Sequence, residues 1–247
     1  VMIDLHYCAT PNGQKITIIL EEMGVAYNVI PYDIFHGDQL TAEFGQINPN
    51  FKLPALVDHD PMGGGDAITV FESGAMLQYL AEKCGKFLAP SGAERAVTLS
   101  WLTWQVSAMG PMGGQASHFM RYAPAGQDYA IARYAKEVGR LLTVLEKRLE
   151  KSPYVAGDNY SIADIALWPG RATGFFMQAG GENQGAEEWP ATYDWFQRIR
   201  ARPAVVTAMT RPDLKAPEKY LGRHQKLSDD EWSNMFGDAN HAAVKQG

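Results

Sequence analysis

Up to residue 84 the hydrophobic period of this chain switches repeatedly between that of a strand and that of a helix. From residue 93 it stays helical. Met2-Ile3-Asp4-Leu5-His6-Tyr7 alternates like a short strand. Residues 15–23 are apolar on one helical face and are closed by Gly24. Phe51-Lys52-Leu53-Pro54-Ala55-Leu56-Val57-Asp58 reads as a strand opened by a proline, a position where proline is tolerated. Residues 67–71 are strand-like, and residues 72–83 are helical, with Ala75, Met76, Tyr79 and Leu80 on one face. Alternation of this kind implies a small α/β sheet. Residues 85–92 carry turn formers and read as a linker. Residues 93 to about 208 then keep a helical period, with Val138, Leu141, Leu142, Leu145 and Leu149 lining one long amphipathic segment.

A chain of 247 residues is long enough for two ordinary domains, and 46% hydrophobic with 20% charged residues suits a soluble globular protein. The net charge is −6 with no basic block, which argues against nucleic acid as a partner. No apolar run approaches membrane-spanning length, and no signal peptide opens the chain. Cys8 and Cys84 lack CxxC spacing and read as thiols in a reducing cytosol. The histidines show no metal-binding spacing, so no metal is expected.

Three short motifs sit at the element ends. Thr10-Pro11-Asn12-Gly13 stands where a strand ends and a helix begins. Helix-start N–H groups carry partial positive charge and favour an anion. The Thr10 hydroxyl and the Asn12 amide can donate hydrogen bonds there, and a thiolate is an anion such donors can hold. The same four residues also make a good turn and cap. At Leu53-Pro54 a cis bond would turn the Leu53 backbone outward to pair with an extended peptide, whereas a trans bond would open an ordinary edge strand. Glu72-Ser73 begins a helix; Ser73 and its neighbouring N–H groups can take a carboxylate and Glu72 an ammonium, or the pair is a plain surface cap. Farther on, Ser161-Ile162-Ala163-Asp164 fits a capping box, with the Ser161 oxygen on the Asp164 N–H and the carboxylate reaching back.

In this order, the motifs resemble the N-terminal domain of cytosolic glutathione transferases, most of all the bacterial nu class. Trp101-Leu102-Thr103-Trp104-Gln105-Val106, Gly110-Pro111-Met112-Gly113-Gly114-Gln115, Tyr129-Ala130-Ile131-Ala132-Arg133-Tyr134 and the Tyr160–Ala166 box extend the resemblance to about residue 211. It implies an α/β thioredoxin-like domain over residues 1–86, an all-α domain over 93–211 and a tail over 212–247. Trp232 and Phe236 are the large apolar anchors of a tail that is either flexible or covers the site mouth.

The resemblance also implies a ligand, glutathione, bound as two reduced molecules or one oxidised molecule in a cytoplasmic homodimer. Its sulfur is expected at Thr10 and Asn12, its glutamyl head at Glu72 and Ser73, and its cysteinyl backbone at Leu53. Its glycyl end is expected at Gln39 and Lys52, with Arg133 reaching in from the partner subunit. Phe51 is a candidate anchor of that dimer. The implied activity is glutathione-dependent disulfide reduction, with hydroperoxide reduction on the same thiolate. Conjugation or ether cleavage of an aromatic electrophile and a weakly active regulatory role are the alternatives. Tyr7 and Cys8 are rival residues for the chemistry, each with packing in the core as its ordinary role. His118 is a candidate substrate contact.

Overall fold

The computed structural model describes residues 2–172, 186–215 and 226–246. Its first part is a four-stranded sheet of order β2-β1-β3-β4. Strand β1 (Ile3–Tyr7) runs parallel to β2 (Tyr27–Pro31), with Ile3 opposite Tyr27. Parallel neighbours need a crossover, and helix α1 (Pro11–Met23) supplies it. Strand β3 (Ala55–Asp58) lies antiparallel on the other side of β1, and β4 (Ile68–Phe71) pairs antiparallel with β3. A short helix α2 (Ala42–Ile47) precedes β3, and α3 (Ser73–Cys84) follows β4. Gly24 and Gly85 end α1 and α3 with left-handed φ values of 67° and 64°.

The alternation expected of β1 is hidden by cover on both faces. Ile3, Leu5 and Tyr7 join the core with Ile16, Ile19 and Leu20 of α1 and Met76 and Leu80 of α3. His6 is buried on the opposite face, its ring 5.8 Å from Phe44 of α2 and 5.7 Å from Tyr32. On α3 the buried apolar side chains are Met76, Leu77, Leu80 and Ala81; Ala75 is exposed and Tyr79 half-buried. Leu77 therefore turns the apolar stripe away from the face its neighbours suggested.

Helix α1 departs most from its sequence reading. Every residue from Gly13 to Leu20 is buried, including Gln14, Lys15 and Thr17. One side packs on the sheet and α3, and the other on α7 (Ile162–Ala172) and α9 (Pro203–Thr210). The one-sided pattern was sound for the sheet, but a second layer covers the polar side too.

The helical part continues with α4 (Gly92–Trp104), a π-helical stretch at Gln105–Met109, α5 (Gly110–Arg121), α6 (Asp128–Leu149) and α8 (Pro190–Arg200). Pro111 lacks an N–H and would crowd the carbonyl four residues earlier in a regular helix; the wider turn just before it relieves that contact. The expected stripe on α6 is buried as read. Asp164 is fully buried and accepts from the backbone N–H groups of Ser161 (3.0 Å) and Val155 (2.9 Å) and from Trp195 Nε1 (2.9 Å). The carboxylate half of the capping box is as expected, whereas the Ser161 hydroxyl oxygen takes the Ala163 N–H at 3.3 Å. Glu146 of α6 caps α8 by accepting from the N–H groups of Ala191 and Thr192.

Two arginines clasp the layers. Arg202 forks onto Glu22 at 2.5 and 2.9 Å, and Arg211 reaches Glu21 at 2.6 Å. In the tail, a 3-10 turn at Pro212–Leu214 leads toward α10 (Asp229–Phe236) and α11 (Asp238–Gln246).

Gly13 sets how closely α1 approaches β1. A Cβ added there would lie 2.1 Å from the Cys8 carbonyl oxygen and 2.9 Å from the Tyr7 ring. Backbone cannot yield as a flexible side chain does. Gly13→Ala is expected to cost on the order of 1–3 kcal/mol, as overpacking does. A thermal melt unchanged from wild type would show that α1 can shift freely.

Candidate active site

Thr10 caps α1: its Oγ1 accepts from Gly13 N at 3.4 Å, and its backbone is extended. The cap uses the oxygen and leaves the O–H hydrogen to donate elsewhere. Asn12, two residues on, is exposed on the first turn. Its Oδ1 accepts from Lys15 Nζ at 2.8 Å. The same nitrogen donates to Ser73 Oγ at 3.1 Å and to Gln105 Oε1 at 2.9 Å. Lys15 is 2% exposed, so its three donors meet three neutral acceptors in a nearly dry setting. Desolvation pushes its pKa down to about 7, and the nearby Glu72 carboxylate offsets part of that shift.

Through Lys15 the first and third motifs become neighbours. Asn12 and Ser73, 61 positions apart in sequence, share one hydrogen-bond donor. Glu72 has a φ of 68° and ψ of 115°, an unusual conformation for a residue with a side chain, and its carboxylate makes no cap bond to α3. The Leu53–Pro54 bond is cis, the isomer the sequence had left open. Gln39 is buried, and among the described residues its Oε1 has no hydrogen-bond partner. Lys52 is exposed, and its carbonyl accepts from Asn48 Nδ2 at 2.6 Å. Arg133 stands apart on α6, with a 56% exposed side chain 3.7 Å from Glu137. Phe51 is not an exposed anchor in the single chain. It is 2% exposed, and its ring lies where a Cβ on Gly45 would come within 2.6 Å.

Of the candidate glutathione residues, only Thr10 and Asn12 also line a cavity of about 600 Å³ between α1, α5 and α10. Ile34, Phe35, Met109, Met235 and Phe236 give it apolar walls. Lys15, His118, Arg121 and Lys215 are its basic lining residues, and no Asp or Glu is among the described ones. His118 packs edge-on against Phe236 at 4.6 Å, and desolvation lowers its pKa, which favours the neutral ring. Helix α10 is tied on by Asn234, which donates to the Phe35 carbonyl at 2.9 Å. Met235 and Phe236 thus make α10 one wall of this cavity.

The rival residues are otherwise engaged. The Tyr7 hydroxyl donates to the Leu214 carbonyl at 2.9 Å, and burial pushes its pKa up. Cys8 is 2% exposed and neither cysteine is in a disulfide.

Comparison with known proteins decides the family. Residues 9–83 match the family model described as glutathione S-transferase, N-terminal domain, and residues 116–203 match that of the C-terminal domain. A relative from Escherichia coli (strain K12), the disulfide-bond oxidoreductase YfcG, is 49% identical over 214 residues, 86% of this chain and 97% of its own. This chain belongs to the glutathione S-transferase family. Among solved structures, a transferase family member from Pseudomonas fluorescens pf-5 with two glutathione bound superposes with a TM-score of 0.79. It is 36% identical, covering 87% of this chain and 93% of that one. A transferase from Pseudomonas putida with one glutathione disulfide bound per subunit gives 0.74, at 35% identity over 85% and 92% of the two chains.

Sequence reasoning about this transferase missed Lys15 and Gln105. In the sequence Lys15 opens an amphipathic helix and Gln105 lies inside a helical run. The available signal is a charged residue beside Ile16, Ile18 and Ile19 on the helix that begins at the candidate residues Thr10 and Asn12.

The depressed Lys15 pKa has a signed consequence for stability. Its folded pKa, about 7, lies below the unfolded value of 10.5, so between them the unfolded chain binds more protons and stability rises with pH. Below the folded pKa the full cost of burying the ammonium is felt. Lys15→Met removes that group, so its melting temperature relative to wild type should be highest near pH 6 and decline as pH rises toward 10. A pH-independent difference would show that Lys15 is not a buried titrating group.

Proposed function

We propose that this transferase is a glutathione-dependent disulfide-bond reductase. The observation that carries the reading is the shared wall. Thr10 and Asn12 present donors at the α1 N-terminus, and the cavity they border has only basic groups as its described charged lining. Such a cavity suits a disulfide that carries carboxylates. In this reading Glu72 takes an ammonium, Ser73 a carboxylate and the Leu53 backbone an extended peptide, the Leu53–Pro54 bond being cis. The unpartnered Gln39 amide oxygen and the exposed Lys52 suit the glycyl end.

Thr10 and Asn12 stabilise the thiolate form of the bound thiol by charge-assisted hydrogen bonds. The thiolate attacks one sulfur of the substrate disulfide; a new S–S bond forms as the old one breaks, and the departing thiolate takes up a proton. A second glutathione thiolate then attacks the mixed disulfide, releasing the second substrate thiol and leaving glutathione disulfide. The same thiolate can reduce an organic hydroperoxide. The protein supplies position and a lowered thiol pKa rather than a redox cysteine, in keeping with the burial of Cys8. The apolar walls at Ile34, Phe35, Met109 and Phe236 favour a second reading, conjugation or thiolytic cleavage of an aromatic electrophile.

A panel of hydroxyethyl disulfide, an aromatic halide and an aryl ether, each with glutathione, separates these readings. The disulfide should turn over fastest. Thr10→Ala/Asn12→Ala should cost on the order of 1–3 kcal/mol of thiolate stabilisation, whereas Cys8→Ser should keep most of its rate. Unchanged turnover in the double variant, or a dead but folded Cys8→Ser protein, would make the thiol-site assignment wrong. Binding without turnover on any of the three would favour a regulatory role.

The reading extends to a cytoplasmic, nu-class homodimer with units at 1–86 and 93–211 and a covering tail at 212–247. Ile68 and Phe71 on the edge strand β4, with Val97 on α4, expose apolar surface on both parts of the chain, as a dimer would bury. In this reading Arg133 reaches a glutathione carboxylate across the two-fold axis, and its exposure leaves it available. Arg133→Ala should remain dimeric by light scattering yet bind glutathione roughly ten- to a hundredfold more weakly by calorimetry. Unaltered affinity in a dimeric variant, or a monomeric wild type with full affinity, would exclude the shared site.

A further inference from the structure

The hydrogen bonds at Lys15 fix more than its own position. A protonated amine only donates, so the atom of Asn12 that faces it is the carbonyl oxygen, at 2.8 Å. With its oxygen held by Lys15, Asn12 keeps its amide nitrogen to donate. Ser73 meets Lys15 through a hydroxyl oxygen that accepts at 3.1 Å, which leaves its hydrogen to donate. Gln105 holds the lysine from the helical side at 2.9 Å, and its own place is confined. A Cβ on Gly110 would fall 2.9 Å from Gln105 Nε2 and 3.0 Å from its carbonyl oxygen. One buried nitrogen thus joins the sulfur position, the glutamyl position and the π-helical stretch of the second layer.

We propose that Lys15 is the positioning residue of the thiol site. From behind, by donating to the oxygen of each, it turns the Asn12 N–H toward the sulfur and the Ser73 O–H toward the glutamyl carboxylate. The inference rests on the glutathione reading above. The cost of keeping an ammonium in this setting supports it, because a group retained against stability marks a functional site. The charged group whose field reaches Lys15 is the Glu72 carboxylate; His118, Arg121, Tyr122 and Lys215 are the other titratable groups lining the shared cavity. Of these, Glu72 is the acid.

The test is a double-mutant cycle of Lys15→Met and Asn12→Ala in the full chain. It is read by thiolate absorbance of bound glutathione against pH, by disulfide turnover and by calorimetric binding of S-methylglutathione, which has no thiol. Lys15→Met should raise the pKa of the bound thiol by about one unit or more and lower turnover at neutral pH roughly tenfold, the scale of one charge-assisted hydrogen bond. S-methylglutathione affinity should fall by a smaller factor than turnover does, through the loosened Ser73 contact alone. Asn12→Ala should add little in the Lys15→Met background, because its amide has already lost its orientation. Lys15→Gln, neutral but hydrogen-bonding, should show the same rise in thiol pKa and carries the test if the methionine variant does not fold. An unmoved thiol pKa in these variants, or a full additive loss from Asn12→Ala, overturns the positioning role while leaving the glutathione reading intact. Wild-type protein that binds neither glutathione nor its S-methyl derivative overturns both.

Discussion

The burial of α1 on all sides is the constraint on which the other features depend. A crossover helix between two parallel strands covers one face of a sheet, and its outer face ordinarily meets water. Here that outer face meets α7 and α9. The N-terminus of α1, with Thr10 and Asn12, therefore opens at the seam between an α/β layer and a helical layer. A bound molecule at that end has the sheet side to one hand and the α5 side to the other. The Glu22–Arg202 and Glu21–Arg211 pairs fasten the opposite end of the same helix, so the seam is fixed at both ends.

Gln14, Lys15 and Thr17 are buried in this seam, and they are satisfied to different degrees. Among the described residues Gln14 Oε1 has no hydrogen-bond partner. Thr17 returns its hydroxyl to the backbone of its own helix at 3.1 Å. Lys15 is too long and too charged for that solution and uses three side chains from three elements. Its satisfaction demands that Gln105 sit on the inner edge of the helical layer, which the π-helical stretch provides. Below the seam, Phe236 and Met235 of α10 line the same cavity as Thr10, Asn12 and Lys15, so polar and apolar groups face one space.

Much of this was legible in the residues. The Thr10 cap, the Gly24 stop, the opening of β3 after Pro54 and the α6 stripe follow from local rules that act within one turn or one strand. The pairing of Glu72 with Ser73 at a helix start was legible for the same reason. The sequence did not show that Leu77 rather than Ala75 faces inward on α3, or that Phe51 folds back onto Gly45. Those outcomes depend on which neighbour covers a face, and no periodicity within a single segment records that. Arg133 is intermediate: its place on α6 was readable, while any role across subunits depends on a second chain.

The chain alone determined β1, α1, β3, β4, α3 and the α6 stripe in their order, because hydrogen-bond periodicity and capping are short-range, whereas β2 and α2 carried no readable period. It also determined the family, since ordered motifs across two parts of the chain constrain far more than any one motif does. Only the tertiary structure decided that Asn12, Ser73 and Gln105 converge on Lys15, and that this lysine is 2% exposed. A lysine on an amphipathic helix is ordinarily solvated, and its sequence neighbours cannot say otherwise. Burial is a property of two surfaces meeting, and the second surface here comes from residues 90 and more positions away.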